Sequence, residues 1–165
     1  MSTAYMEVFE EEYERLEQAL RRLRYDSNAK AVFLIDKNGQ QIAAAGDIEN
    51  FDSTSLASLT AGNVAATDGL AKLIGEREFS VLFHEGQRDH IHISIVARRA
   101  ILLVIFDERS SLGLVRLRVK KASLELEKCF EAIVTKAATE QATAGQFESP
   151  FAEITDEDID SLFSE

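Results

Sequence analysis

The sequence contains little of what several large classes of protein require. Its 165 residues include one cysteine, one proline and no tryptophan, so an internal disulfide and a cysteine-based zinc site are excluded. No apolar run approaches the roughly 18–20 residues that a membrane-spanning helix needs. The glycine patterns G-x-x-x-x-G-K-[ST] and G-x-G-x-x-G are also missing, which argues against a P-loop nucleotide hydrolase.

Basic residues are scarce as well. Lysine and arginine together number 18 against 29 aspartates and glutamates, which gives a net charge of −11. Nucleic acids and anionic membrane surfaces both attract basic residues, so this balance argues against nucleic-acid binding and against docking on an anionic membrane. Direct membrane insertion is not expected either. Residues 1–24 lack the basic-then-apolar order of a signal peptide. A cytoplasmic protein is therefore expected.

Hydrophobic periodicity predicts eight elements in the order α-β-β-α-β-β-β-α. Helices are predicted over 6–24, 53–75 and 111–137, and strands over 31–36, 41–45, 79–84, 90–96 and 100–106. The first two strands are joined through Asn38-Gly39, a hairpin signal, and the short links between the last three favour antiparallel neighbours. The predicted fold is α/β, a five-stranded antiparallel sheet sandwiched by helices.

The composition changes after residue 138. Residues 1–138 are predicted to form the folded domain, and 139–165 a flexible linker and acidic tail. Residues 148–165 carry seven acids and no base. A short amphipathic helix is predicted near 155–164, because a capping threonine and three acids precede Ile159, Leu162 and Phe163 at helical spacing. Ordering against a partner's groove is favoured over a solvated tail.

The side chains that could carry chemistry do not assemble into a catalytic constellation. His90 and His92 share one face of a predicted strand, but they lack a third metal ligand and are interpreted as solvated polar positions. Cys129 lies on the apolar stripe of the last helix and is predicted to be a buried, inert thiol. No metal, no cofactor and no enzymatic activity are predicted.

The second predicted helix has small residues along one side. Its glycines, Gly62 and Gly69, each cost roughly 0.8–1 kcal/mol relative to alanine. Either this side packs tightly against the protein's own sheet, or another chain approaches it closely, and the spacing favours neither. Asn63, within an apolar seam of the same helix, either fixes the register of a helix pair or satisfies a local carbonyl.

Several stretches resemble the Roadblock/dynein light-chain family, over about residues 6–165. They include LIDKNG (34–39), LASLTAGNVAA (56–66), FHEG (83–86) and VIFD (104–107). Residues 70–76, 111–117 and 149–154 narrow the resemblance to a bacterial branch. The resemblance implies a homodimer, joined by extension of the sheet and by second helices that lie side by side. The residues implied in the dimer interface are Leu59, Asn63, Ala66, Leu70, Phe79 and Val81.

The resemblance also implies a function. Proteins of this branch activate GTP hydrolysis by a small Ras-like GTPase of the MglA type, by reshaping its active site without an arginine finger. The implied roles are in cell polarity and gliding motility, with concentration at a cell pole and an effect of the tail on nucleotide exchange. The implied partner-binding residues are Ser58, Gly62, Ala65, Gly69, Lys72, Ile159, Leu162 and Phe163. The alternative is a Roadblock scaffold that binds its GTPase without activating it.

Overall fold

Three helices and five strands follow one another in the predicted order. The computed structural model describes the backbone of residues 3–144 and the side chains of residues 9–139. The helices are α1 (Thr3–Ser27), α2 (Ser53–Leu73) and α3 (Leu112–Ala144); the strands are β1 (Ala31–Asp36), β2 (Gln41–Gly46), β3 (Val81–Glu85), β4 (His90–Val96) and β5 (Ala100–Phe106). The predicted fold class is thereby confirmed.

The five strands form one sheet in the order β2-β1-β5-β4-β3. Every neighbouring pair is antiparallel. All residues of β1 and β5 are buried, because these strands lie at or beside the centre of the sheet and helices cover both of its faces. The edges of the sheet are β2 and β3, and β3 is mostly exposed.

The helices divide between the two faces of the sheet. On one face, α1 and α3 bury residues such as Leu20 and Leu126 against Leu102 and Val104 of β5. On the other face, α2 packs against the alternate residues of the same strands, together with Ile48 and Phe51 from the segment before it, since successive strand side chains point to opposite faces. The buried side of α2 consists of small and medium side chains, namely Ala57, Thr60, Ala61, Val64 and Ala71.

The turn between β1 and β2 positions the start of α2. The Asp36 carboxylate accepts the backbone N–H groups of Asn38 and Gln40, at 2.9 and 3.0 Å. Gly39 has φ +89°, and a Cβ there would lie 3.1 Å from the backbone Cα of Ser58. Glycine is therefore required both by the backbone conformation and by the close approach of the turn to α2.

Several predicted boundaries differ from the structure. The strand predicted to begin at Phe79 begins at Val81, and only the Ser80 carbonyl continues the pairing, by accepting Ile95 N–H at 3.1 Å. Helix α3 runs to Ala144, so residues 139–144, predicted as linker, are helical. Alanine and glutamine favour helix, so the assignment of these residues to the linker was wrong. The rest of the predicted linker and tail lies outside the described residues.

The predicted ends of α2 agree more closely with the structure. Asp52 caps the helix by accepting the Ser55 N–H at 3.2 Å and the Ser55 hydroxyl at 2.6 Å. The hydrogen bond to the Ser55 hydroxyl holds the Asp52 pKa below its ordinary value. The helix ends at Leu73, and Gly75, just beyond it, has φ +81°. Glycine tolerates that conformation, which is common directly after the C-terminal end of a helix.

Candidate functional site

The side of α2 turned away from the sheet exposes large apolar side chains. Leu59 is 73% exposed and Leu73 is 83% exposed. Of the nine large apolar side chains that are exposed in the described residues, four lie on α2 or just beyond its C-terminal end: Leu59, Leu70, Leu73 and Ile74. Single exposed leucines are common, but a cluster of this kind marks an interaction surface.

The small-residue side of α2 is also exposed. Ser58, Gly62, Ala65, Gly69 and Lys72 are all on the surface. A Cβ added at Gly62 or Gly69 would meet no heavy atom of the described residues within 4 Å. Tight packing against the protein's own sheet therefore does not explain these glycines. Close approach by another chain, the second of the two sequence-based explanations, is the one that the geometry permits.

Asn63 connects α2 to the edge of the sheet. Its side chain is half-buried, and its Nδ2 lies 3.0 Å from Nε2 of His84 on β3. The Asn63 amide can donate to this nitrogen in the His84 tautomer whose proton is on Nδ1. Neither sequence-based interpretation of Asn63 named His84. Only the packing of α2 against β3 brings the two residues together.

Strand β3 presents a free backbone edge beside α2. Ser80 accepts from Ile95, so alternation along an antiparallel ladder directs the backbone groups of Val81, Phe83 and Glu85 away from β4. No other strand in the described part of the chain pairs with that edge. An exposed edge can accept a strand from another chain, and here it adjoins the apolar side of α2.

The residues predicted at the dimer interface do not all point the same way. Leu59, Ala66 and Leu70 are exposed on α2. Val81 is exposed on β3, but strand alternation places its side chain on the α1–α3 face with Phe83, which stacks on Phe106. Phe79 lies before β3 and is half-buried, so its predicted place within the edge strand is wrong. The predicted tail contacts Ile159, Leu162 and Phe163 lie outside the described residues.

The interpretation of His92 as a solvated position is wrong. Its side chain is 1% exposed beneath the α1–α3 layer, and burial, together with the charge of Arg116, lowers its pKa. Strand alternation gave the correct face but did not reveal that α3 covers it. No cluster of three or more His, Cys, Asp or Glu side chains that could hold a metal occurs among the described residues.

Two further findings concern the helices. Cys129 is buried, as predicted, and burial raises the pKa of its thiol. No helix in the part of the chain that the structure describes is both long and apolar enough to cross a membrane.

Comparison with known proteins identifies the family. The model of the Roadblock/LC7 domain matches residues 15–106, which run from within α1 to the last residue of β5. The chain belongs to the Roadblock/LC7 family. No curated protein sequence matches it. The family resemblance predicted from the quoted stretches is confirmed.

Solved structures of MglB are similar to this Roadblock chain. MglB from Myxococcus xanthus is 62% identical, with a TM-score of 0.72, and the match covers 74% of this chain and 92% of that one. The gliding protein MglB from Thermus thermophilus is 35% identical, with a TM-score of 0.69 and coverage of 73% and 91%. An MglB in a tetrameric arrangement is 34% identical, with a TM-score of 0.68 and coverage of 73% and 92%.

Proposed function

We propose that this Roadblock protein is a homodimeric regulator that activates GTP hydrolysis by a small Ras-like GTPase of the MglA type. The observation that carries the proposal is the exposed surface of α2 and β3, in a chain 62% identical to an MglB. The similarity to a gliding protein supports a role in gliding motility and cell polarity, exercised in the cytoplasm and at a cell pole. The protein acts as a regulator and not as an enzyme.

The free edge of β3 supports the homodimer. Pairing of β3 with β3 of a second copy extends the sheet and brings the two α2 helices side by side. Burial of a leucine side chain such as Leu59 or Leu70 contributes about 1.5–3 kcal/mol. Several such side chains on each copy help to offset the loss of translational and rotational freedom on association.

The small-residue side of α2 supports a GTPase platform. Gly62, Ala65 and Gly69 have no long side chain, so the backbone of a binding partner can approach the helix closely. Lys72, at the end of this side, is exposed and supplies a positive charge for an acidic group. In the dimer, two such helices form one continuous surface.

Activation proceeds by a shift of the GTPase population. A surface that binds the hydrolysis-competent conformation more tightly than the idle one raises the competent fraction. Each tenfold acceleration requires about 1.4 kcal/mol of differential binding. This mechanism needs no chemical group from the activator.

An inserted arginine would be worth about 10³–10⁵ in rate. Five arginines of the described residues lie outside the helices and strands: Arg77, Arg88, Arg98, Arg99 and Arg109. Two of them already have contacts within the chain: Arg99 lies 5.9 Å over the Phe130 ring, and Arg109 Nε donates to Asp107 at 3.0 Å. Arg77, Arg88 and Arg98 are exposed. We expect alanine at each of the five to retain most of the activation. Loss of nearly all activation from one substitution would contradict an arginine-free mechanism.

The central test is single-turnover GTP hydrolysis by an MglA-type GTPase, with and without this protein. Acceleration is expected, and Gly62→Arg or Ala65→Arg is expected to abolish it, because a long charged side chain blocks the platform. Ala138→Arg is the matched control, since Ala138 is an exposed alanine of α3. The arginine variants must remain dimeric. Unchanged activation by Gly62→Arg would exclude this side of α2 as the platform.

The scaffold alternative makes a different prediction in the same assay. A scaffold binds the GTPase, as measured by calorimetry, without changing its hydrolysis rate. Deletion of residues 148–165 separates the contribution of the tail. We expect the dimer to persist while GTPase affinity or nucleotide exchange changes, and if both are unchanged the tail has no regulatory contact.

A further inference from the structure

Helix α3 carries a second exposed apolar pair, outside the surface already described. Leu117 is 61% exposed and Leu124 is 62% exposed. Seven residues separate them, so they lie on one side of the helix, two turns apart. This side belongs to the α1–α3 layer, across the sheet from α2. It also lies beyond residue 106, where the match to the Roadblock/LC7 domain ends.

The same part of α3 is strongly basic. Residues 112–124 contain Arg116, Arg118, Lys120 and Lys121 and no acid. Arg116, Lys120 and Lys121 are exposed. Arg118 is half-buried, and its Nε is buried without a hydrogen-bond partner among the described residues.

Two acids lie near this basic segment. Arg118 and Lys121 line a groove between α1 and α3 that also contains Asp26 and Glu125. Glu125 is already paired with Arg22, at 2.7 Å. The four basic residues of the segment therefore outnumber the two acids that line this groove.

We propose that residues 148–165 of the same chain dock on this side of α3. The segment carries seven acids and no base, together with the apolar side chains of Ile154, Ile159 and Leu162. Its composition is therefore complementary to the surface in two ways. Acids meet Arg116, Lys120 and Lys121, and apolar groups cover Leu117 and Leu124.

The chain is long enough for this contact. Lys121 lies 23 residues before Ala144, the last residue of α3, which is about 35 Å along the helix. An extended chain covers about 3.3 Å per residue, so roughly 11 residues beyond Ala144 return to the level of Lys121. Asp156, Asp158 and Asp160 lie 12 to 16 residues beyond Ala144. The acidic centre of the segment therefore reaches the basic centre of α3.

Docking of the tail on α3 of its own chain is favoured over docking of another molecule on this surface. Because the segment is tethered to α3 by the same chain, its effective concentration at this surface is of the order of millimolar. Two copies of the α3 surface would bring like charges together, which disfavours self-association through it. Docking on α3 holds the segment across the sheet from α2, so any partner that uses the segment must first displace it. The inference does not depend on the proposed activation of a GTPase.

The test uses the full chain with a nitroxide attached at Ser164→Cys. Cys129 is buried and does not compete for the label. Paramagnetic broadening of the Leu117 and Leu124 amide signals is expected. It should disappear in Lys120→Glu/Lys121→Glu and in about 1 M salt, where the Debye length is about 3 Å. Lys37→Glu reverses a charge on the exposed β1–β2 turn and should leave the broadening unchanged.

Several outcomes overturn the inference. Absence of broadening in the wild-type background excludes docking, and broadening that survives Lys120→Glu/Lys121→Glu excludes this surface. Isotope-labelled chains mixed with separate spin-labelled chains detect a tail from another copy; broadening there refutes docking within one chain. If Lys120→Glu/Lys121→Glu unfolds, the variant Asp156→Lys/Asp158→Lys removes the same attraction from the tail. Broadening that persists in that variant likewise refutes the proposal.

Discussion

Replacing both exposed glycines of α2 with alanine should stabilise the fold and weaken its function. Neither Gly62 nor Gly69 has a described heavy atom within 4 Å of the position that a Cβ would occupy, and neither has a positive φ. Each alanine therefore removes the helix penalty of glycine without a clash. The gain is about 0.8–1.0 kcal/mol per site, or about 2 kcal/mol for the pair.

This gain is large enough to measure. At roughly 2–4 °C per kcal/mol for a chain of this size, the double variant should melt about 4–8 °C higher than the wild type. Thermal unfolding followed by circular dichroism measures the shift. Both proteins must be compared at one concentration, because dimerisation makes Tm depend on concentration.

The same methyl groups should obstruct a partner that approaches the helix backbone. Overpacking a close contact costs about 1–3 kcal/mol, which weakens GTPase binding by roughly 5- to 150-fold, as each 1.4 kcal/mol is a factor of ten. Titration of GTP hydrolysis against the variant measures this loss. The double variant should therefore have a higher Tm than the wild type and a lower affinity for the GTPase.

Gly113→Ala is the matched control. Gly113 is exposed in the first turn of α3, and a Cβ there also meets no described heavy atom within 4 Å. The variant should gain a smaller amount of stability, because the first turn of a helix frays, and should activate the GTPase normally. A double variant that melts no higher than the wild type would refute the structural argument. One that melts higher and activates fully would refute the platform.

Three further predictions concern the core and the sheet edge. Gly46→Ala should lower Tm more than Gly75→Ala, because both glycines have positive φ but only the Gly46 Cβ would overlap a backbone atom, the Lys30 carbonyl oxygen. Burial lowers the pKa of His92 in the folded protein, so as the pH falls below about 6.5 the unfolded chain binds the proton first and the free energy of unfolding decreases. His92→Leu should make the free energy of unfolding less dependent on pH in this range. Cys129 should react with a thiol reagent only on unfolding, since burial raises its pKa; fast native-state modification would contradict this.

Much of the fold follows from local pattern. The apolar runs of β1 and β5 and the alternation of β4 predict these three strands with the observed bounds. Alternation indicates a strand without knowledge of tertiary contacts, because the period of two is set by backbone geometry alone. The capping role of Asp52 and the positive φ of Gly39 and Gly75 are likewise local properties. The predicted end of α3 was wrong, because residues 139–144 were grouped with the glycine and proline that follow them in the chain.

The candidate site follows only in part from the sequence. Helical spacing grouped Ser58, Gly62, Ala65 and Gly69 on one side of α2, and family resemblance gave that side a role. Spacing could not decide whether the side faced the sheet or the solvent. That depends on which small residues of α2 fit closely against β1 and β5, and Ala57, Ala61 and Val64 make that contact.

The sequence by itself determined the order of the elements, the alternation of the strands and the presence of two glycines on one helix side. Only the tertiary structure decided what covers each side. It buried His92 under α3, joined Asn63 to His84, left β3 at an edge and exposed Gly62 and Gly69. The reason is that periodicity is fixed within a segment, whereas burial and partnership depend on contacts between segments far apart in the chain.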